Sequence, residues 1–264
     1  MDYSYEVKDY HNELLNYIKF DLNHNDFFVK LLRNCKDKNI LKHVIDNAIT
    51  LECENDDGWR PIHFICDYLT PEMIKYIIDK GVDLECEDNL GQRPIHYLCA
   101  NSTPEMIKYI IDKKVDLECE DNYGMRPIHY ICEKSTPEMI KYIIDKGVDL
   151  ECVNCNGERP IHYTCGHSTP EMIKYIIDKG VDLECENYQK WRPIHLICKY
   201  STPEIIKYII DKGIKLDFND ELELEKFINK NNKLSIEDKQ EMIEYINKSK
   251  NIKNVMVKKA IKKN

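Results

Sequence analysis

The chain has 264 residues, a formal net charge of −9, 42% hydrophobic residues and 12 cysteines. An acidic balance of this size repels phosphate backbones, which argues against general nucleic-acid binding by the body of the chain. No apolar run reaches the roughly 18 residues of a membrane span, and the N-terminus, MDYSYEVKDYHNELL, has neither a basic start nor an apolar signal core; the cysteines are therefore read as reduced thiols of a cytoplasmic chain, not as a disulfide framework.

In chain order, residues 1–20 read as one N-terminal helix and 21–53 as a degenerate unit, in which Leu51-Glu52-Cys53 foreshadows Leu84-Glu85-Cys86. A block of 33 residues then recurs five times without a gap, from 54 to 218. Each copy carries Arg-Pro-Ile-His, with its histidine at His63, His96, His129, His162 or His195, and a nearly fixed Pro-Glu-Met-Ile-Lys-Tyr-Ile-Ile-Asp-Lys further on. A period of this length means stacked supersecondary units, each burying its apolar face only against its neighbours.

The copy from Glu87 to Cys119 serves as the type. Pro94 suits the first turn of a helix, where its missing N–H is not needed, and Ile95, Leu98 and Cys99 follow on one face. Thr103-Pro104-Glu105 opens a second helix with a hydroxyl to accept a free N–H and a carboxylate at the positive end of the dipole. Met106, Ile107, Ile110 and Ile111 then fall at helical spacing. In other copies Gly81, Gly147 and Gly180 end this helix in the left-handed conformation. The Val-Asp-Leu-Glu-Cys-Glu stretch runs extended into turn residues such as Asp121, Asn122 and Gly124. Each copy therefore reads as helix, turn, helix and projecting hairpin.

Residues 219–251 keep the register as a second degenerate unit, Ser235 falling 33 after Thr202. Polar, atypical end units of this kind cover the apolar ends of a stack. The last segment, 252–264, reads as a basic helix. Its lysines suit a nuclear import signal, a contact with an acidic membrane, or an end helix packed on the last unit. The end helix is favoured, because Ile252, Val255, Met256 and Ala260 share one helical face.

The repeat resembles the ankyrin repeat. The family's Asp-x-x-Gly, Thr-Pro-Leu-His, paired-aliphatic helix and Gly-Ala-Asp appear in register as Asp88 to Gly91, Arg93 to His96, Met106 to Ile111 and Gly81-Val82-Asp83. The resemblance implies an all-α ankyrin-repeat solenoid of helix-turn-helix units with projecting β-hairpin loops. It also implies a histidine that hydrogen-bonds between units. In this chain Arg60, Arg93, Arg126, Arg159 and Arg192 replace the family's Thr, so something other than a hydroxyl must orient each histidine. Ser102, Ser135, Ser168 and Ser201 replace the usual Gly between helices, with Leu69 in the first copy, and Lys114 and Lys190 replace two further Gly. Each would cost about 1 kcal/mol if a left-handed backbone were kept. The near identity of the copies and the Asn, Lys and Ile richness are similar to the ankyrin sets of large DNA viruses and some unicellular eukaryotes, which would place a viral chain in host cytoplasm.

Chemistry is sparse. The His-x-x-Cys pairs, such as His63 and Cys66, offer two metal ligands where zinc takes four, so no metal is expected. Cys152-x-x-Cys155 is a lone CxxC, read as the repeat cysteine plus a tip substitution. No nucleophile, base and orienting group converge, and no glycine-rich phosphate loop occurs, so neither an enzyme nor a cofactor is expected. The arginine ladder reads as ion pairs with the acids of the Leu-Glu-Cys-Glu stretches, with an anion-binding strip as the alternative.

The copies differ mainly at the hairpin tips and the end of the first helix. There lie Asp57, Trp59, Tyr68, Leu90, Gln92, Asn101, Tyr123, Met125, Lys134, Asn156, Glu158, His167, Tyr188, Trp191 and Tyr200. In ankyrin arrays these positions face partners, and exposed aromatics anchor binding. The resemblance thus implies a monomeric adaptor or scaffold that holds a protein partner. The alternative is a substrate-recruiting subunit of a ubiquitin-ligase complex, since Leu234 to Glu237 with Met242-Ile243 faintly resembles the start of an F-box.

Overall fold

Every full copy starts its first helix at the proline that follows the repeat arginine, where the arginine holds an extended backbone and the proline ring already has the helical φ. The computed structural model describes residues 37–47, 51–214 and 220–261. The expected N-terminal helix at 1–20 and most of the expected end unit at 21–53 lie outside the described residues. Two compact units divide the chain, Met1–Asn122 and Tyr123–Asn264.

In the N-terminal unit the helices are α1 (Lys38–Asn47), α2 (Pro61–Tyr68), α3 (Pro71–Ile78), α4 (Pro94–Asn101) and α5 (Pro104–Ile111). First helices pack on first helices, α2 on α4, and second helices on second, α3 lying between α1 and α5. The C-terminal unit repeats this with α6 (Pro127–Lys134), α7 (Pro137–Asp145), α8 (Pro160–His167), α9 (Pro170–Asp178), α10 (Pro193–Tyr200), α11 (Pro203–Asp211), α12 (Asp220–Asn229) and α13 (Ile236–Ile261). There α6, α8, α10 and α12 form one row, and α7, α9, α11 and α13 the other. Each unit is thus an all-α stack of helix pairs, a solenoid.

The core is the same in every copy because the same side chains recur. Met106, Ile107 and Ile110 of α5 are completely buried, as are Met139, Ile140 and Ile143 of α7. Burying each such side chain contributes about 1.5–3 kcal/mol, which explains why the second helix is copied almost unchanged.

Three local expectations need correction. The threonine hydroxyl caps the second helix directly only at Thr136, which accepts from the Met139 N–H at 3.3 Å. At Thr103 and Thr169 it bonds the carboxylates of Glu105 and Glu171 instead. Those carboxyls sit below their ordinary range, first because each takes its own backbone N–H and then because of the threonine. Second, the residues that replace Gly between helices, Leu69, Ser102, Ser135, Ser168 and Ser201, are all extended, so they carry no left-handed cost. Lys114 and Lys190 do keep φ at 65°, and there the penalty of about 1 kcal/mol holds.

Third, no strand occurs among the described residues, so the connectors are not β-hairpins. An Asx side chain organises the connectors, half-buried at Asn55 and buried at Asp88, Asn154 and Asn187. Asp88 Oδ1 accepts the N–H groups of Leu90 and Gln92, both at 2.8 Å, and Asn187 does the same for Gln189 and Trp191. Neighbouring tips are tied by one backbone bond each, such as Asn89 N–H to Asp57 O at 3.0 Å and Tyr188 N–H to Asn156 O at 2.9 Å, and Asn89 adds its side-chain amide to Asp56 O at 2.8 Å. One backbone bond per junction stacks the loops without making a ladder.

At the C-terminal end Asn231 is buried and donates to the carbonyls of Cys198 and Ser201, at 3.3 and 3.1 Å. It closes the end of α10 with an amide in the slot where a full copy has cysteine. Ser235 caps α13 through the Asp238 N–H at 3.0 Å, and Met242 and Ile246 are buried. The segment that resembles an F-box start is thus the opening of α13, packed on α11 and α12. Residues 252–261 continue α13 and do not start a helix of their own. The side chains of Ile252, Val255, Met256 and Ala260 lie outside the described residues.

Candidate functional site

Polar groups are placed by the same period, and most have structural duties. The histidine at the third helical position does what Glu or Gln does in a capping box. His96 Nδ1 accepts the Arg93 backbone N–H at 2.9 Å, and its Nε2 lies 3.2 Å from the Cys119 carbonyl of the next copy. His63 repeats this with Arg60 and Cys86, at 2.9 and 3.1 Å. The backbone N–H of the arginine therefore orients the ring in place of the missing threonine hydroxyl. His162 departs from the pattern, reaching the Trp191 carbonyl at 3.1 Å.

Burial holds His63, His129 and His162 below their ordinary value of 6.5. The unfolded chain then binds more protons than the folded one, so this stability is full above about pH 6.5 and is lost as pH falls through the depressed folded values. Urea midpoints are expected to be lower at pH 5.5 than at pH 7.5, before the carboxylates titrate. A flat midpoint across that window would contradict the buried neutral rings.

The buried cysteines of the repeat are inert. Burial pushes the Cys86 and Cys119 thiols up to about 12, and a thiolate is the reactive form. Each arginine lies among carboxylates, usually of two copies. Arg60 meets Glu52 at 2.9 Å and Asp83 at 3.4 Å, Arg93 meets Glu85 at 2.6 Å and Asp116 at 3.7 Å, and Arg159 meets Glu151 and Asp182. Arg126 lies 3.6 Å from Asp149 and Arg192 2.8 Å from Glu184. The guanidinium ladder is the ion-pair ladder, not an anion strip.

The outer face of the second helices is also committed. Tyr109 donates its hydroxyl to Asp79 of the preceding copy, and the Tyr109 ring lies between the ammonium groups of Lys75 and Lys113, at 5.3 and 4.9 Å. Lys113 also pairs with Asp79 at 3.0 Å. Tyr208 repeats the arrangement with Asp178, Lys174 and Lys212. Such cation–π contacts contribute about 0.5–1 kcal/mol each at exposed sites. The unvarying Lys, Tyr and Asp of the second helix are thus inter-copy contacts, not idle surface.

The tips are different. In the N-terminal unit Asp57, Tyr68, Leu90 and Asn101 are exposed, whereas Trp59 and Gln92 are half-buried. In the C-terminal unit Tyr123, Lys134, Asn156, His167, Tyr188 and Tyr200 are exposed, and Met125, Glu158 and Trp191 are half-buried. The two tryptophans are therefore packing residues as much as surface. Trp59 meets Phe64 and Tyr97 edge-on, at 5.3 and 5.1 Å, and Trp191 meets Phe227 at 5.1 Å. The Met125 sulfur receives Asn154 Nδ2 at 3.2 Å and the Tyr163 hydroxyl at 3.4 Å. Phe64, Tyr97 and Phe227 were not among the expected site residues. The one-per-copy position after the histidine would have flagged the first two.

Tyr68, Leu90, Tyr123, Tyr188 and Tyr200 are five of the seven large apolar side chains exposed among the described residues. Tyr188 is the extreme, at 74% exposure. Among the described residues no helix is long and apolar enough to cross a membrane.

Comparison with known proteins accords with this anatomy. No curated protein matches the chain. The ankyrin repeat domain of Bcl-3, described as a unique member of the IkappaB protein family, matches over 71% of this chain and 86% of its own, with a TM-score of 0.56 and 14% identity. A chain from the structure of the Bdellovibrio bacteriovorus predatory endopeptidase Bd0816 in complex with the immunity protein Bd3460 matches over 64% and 89%, with a TM-score of 0.56 and 19% identity. At these identities the likeness is one of fold. The family model described as ankyrin repeats in three copies matches residues 22–121, 69–154 and 128–220. With well over half its length matched and the helix pairs stacked in the family's manner, the chain belongs to the ankyrin repeat family.

Proposed function

We propose that the chain is a non-enzymatic adaptor that holds a protein partner through the loop tips and first-helix ends of its ankyrin copies. Ankyrin repeats generally mediate protein–protein interaction. One observation carries the reading: exposed apolar side chains gather at the tips, while the arginine face and the outer helices are filled by contacts between copies. Exposed aromatics provide binding energy that a partner can bury, and truncating a true anchor costs 2 kcal/mol or more, a typical hot-spot figure of roughly that order. The proposal places five copies at 54–218 between end units at 21–53 and 219–251, in a monomer of the cytoplasm. Buried thiols and backbone-bonded histidines support the absence of catalysis.

The test uses exposed residues, and because Tyr68 also stacks on Phe64, circular dichroism checks that the variant folds. Extracts passed over the wild type and over a variant with Tyr68→Ala, Leu90→Ala, Tyr123→Ala and Tyr188→Ala are compared by mass spectrometry. A protein held by the wild type and lost with the variant is the expected result. Identical sets on both would rule out the tips as the binding site.

A further inference from the structure

The corner of the C-terminal unit where the last full copy meets α12 combines an apolar floor with lysines. A cleft of 180 Å³ is lined by Trp191, Phe227, Lys226 and Lys230. That is small beside the roughly 300–1,000 Å³ of small-molecule sites, and fits one protruding side chain. The edge-on Trp191–Phe227 pair forms the floor. Lys199 joins the rim, its ammonium 5.1 Å from the Trp191 ring and 4.8 Å from the exposed ring of Tyr200.

Lysines at this corner contrast with those of the outer helices, although α12 itself also carries Asp220, Glu221, Glu223 and Glu225. Lys113, Lys174, Lys207 and Lys212 on or just after the second helices each pair with a carboxylate of a neighbouring copy. No described carboxylate forms such a pair with Lys199, Lys226 or Lys230, although the net charge of the chain is −9. Lys226 and Lys230 are exposed and one helical turn apart, at the end of α12. Their position at the negative end of that helix favours local stability, but it does not explain a third lysine across an open aromatic floor.

We infer that this corner is a socket for an acidic protein segment, which seats one aromatic or aliphatic side chain on Trp191 and Phe227 while flanking Asp or Glu residues meet Lys199, Lys226 and Lys230. The inference deepens the adaptor reading and rests on it. It gives the C-terminal unit a stated preference, since charge complementarity selects the partner and suppresses neutral or basic competitors.

The test is selection of displayed random short peptides on the full-length chain, followed by titration of the enriched peptides against three forms: wild type, Lys226→Gln with Lys230→Gln, and Lys226→Glu with Lys230→Glu. Enriched peptides are expected to carry Asp or Glu beside Phe, Tyr, Trp or Leu. They should bind the Glu form at least about tenfold more weakly, the Gln form in between, and all forms less well at high salt. Peptides without acidic enrichment, equal binding to all three forms, or preference for a single-stranded oligonucleotide probe over peptide would each overturn the socket. Peptides that ignore these lysines but are lost with Tyr68→Ala and Leu90→Ala would overturn the socket alone and leave the adaptor reading standing.

Discussion

Ile176→Asp is expected to unfold α9 and the helices packed on it at temperatures where the wild type is fully folded. Ile176 is completely buried, and α9 is held between α7 and α11. Removing most of the aliphatic side chain costs about 2–5 kcal/mol by comparison with large-to-small core changes. A carboxyl left there without a partner adds a desolvation penalty of several kcal/mol, which protonation only partly relieves. The total, about 5 kcal/mol or more, is of the order of the whole stability of an ordinary domain. Ile176→Val keeps the shape and should cost only about 0.5–1.5 kcal/mol. Urea denaturation followed by circular dichroism measures both. Similar midpoints for the two variants would mean that the second-helix row is not the core.

His96→Ala should have the next largest effect, and for a different reason. The ring is completely buried and serves two backbone groups, the Arg93 N–H and the Cys119 carbonyl. Losing it strands both, at about 1–3 kcal/mol each, so a loss of about 4 kcal/mol is expected. His96→Gln separates the two roles, because a Gln at this position can accept the N-cap N–H as in a capping box but has no ring to span to the next copy. It should recover about half of the loss. If His96→Ala were within about 0.5 kcal/mol of wild type, the range of ordinary surface changes, the histidine would not be a link between copies.

How much of this was legible in the sequence follows from which atoms do the work. Helix starts were legible because proline acts through its own ring, and Pro61, Pro94 and Pro127 each stand at the first turn. The core was legible because the buried Met and Ile recur at helical spacing. What orients the histidines was not, since the donor is the backbone N–H of arginine, and a main-chain group leaves no signature of its own in the residue pattern. The exposure of the tips was misjudged in part for the same kind of reason. Their place in variable loops reads Trp59 and Trp191 as surface, yet their rings turn inward onto Phe64, Tyr97 and Phe227. Sequence position says which loop a tryptophan belongs to, and packing decides which way it faces.

The outer ladder leaves a signature in the sequence. An exposed helix face free of constraint would drift between copies, but Lys108, Tyr109, Asp112 and Lys113 have exact counterparts in the second-helix segments of the other four full copies. The spacing of 30 residues between a tyrosine and the aspartate it bonds joins consecutive copies. The serines after the first helix taught the opposite lesson. They occupy a position where the family uses Gly, but the backbone there is extended, so nothing in the fold requires Gly and no strain results.

The division of the surface into structural faces and binding tips is the centre of this account. Its most direct test is the affinity of the captured partner for two variants of matched stability: Tyr123→Ala with Tyr188→Ala at the tips, and Tyr175→Phe with Tyr208→Phe on the outer helices. The account predicts at least about tenfold weaker binding for the tip variant and wild-type affinity for the outer-face variant. Weakened binding by the outer-face variant, with the tip variant unchanged, would contradict it.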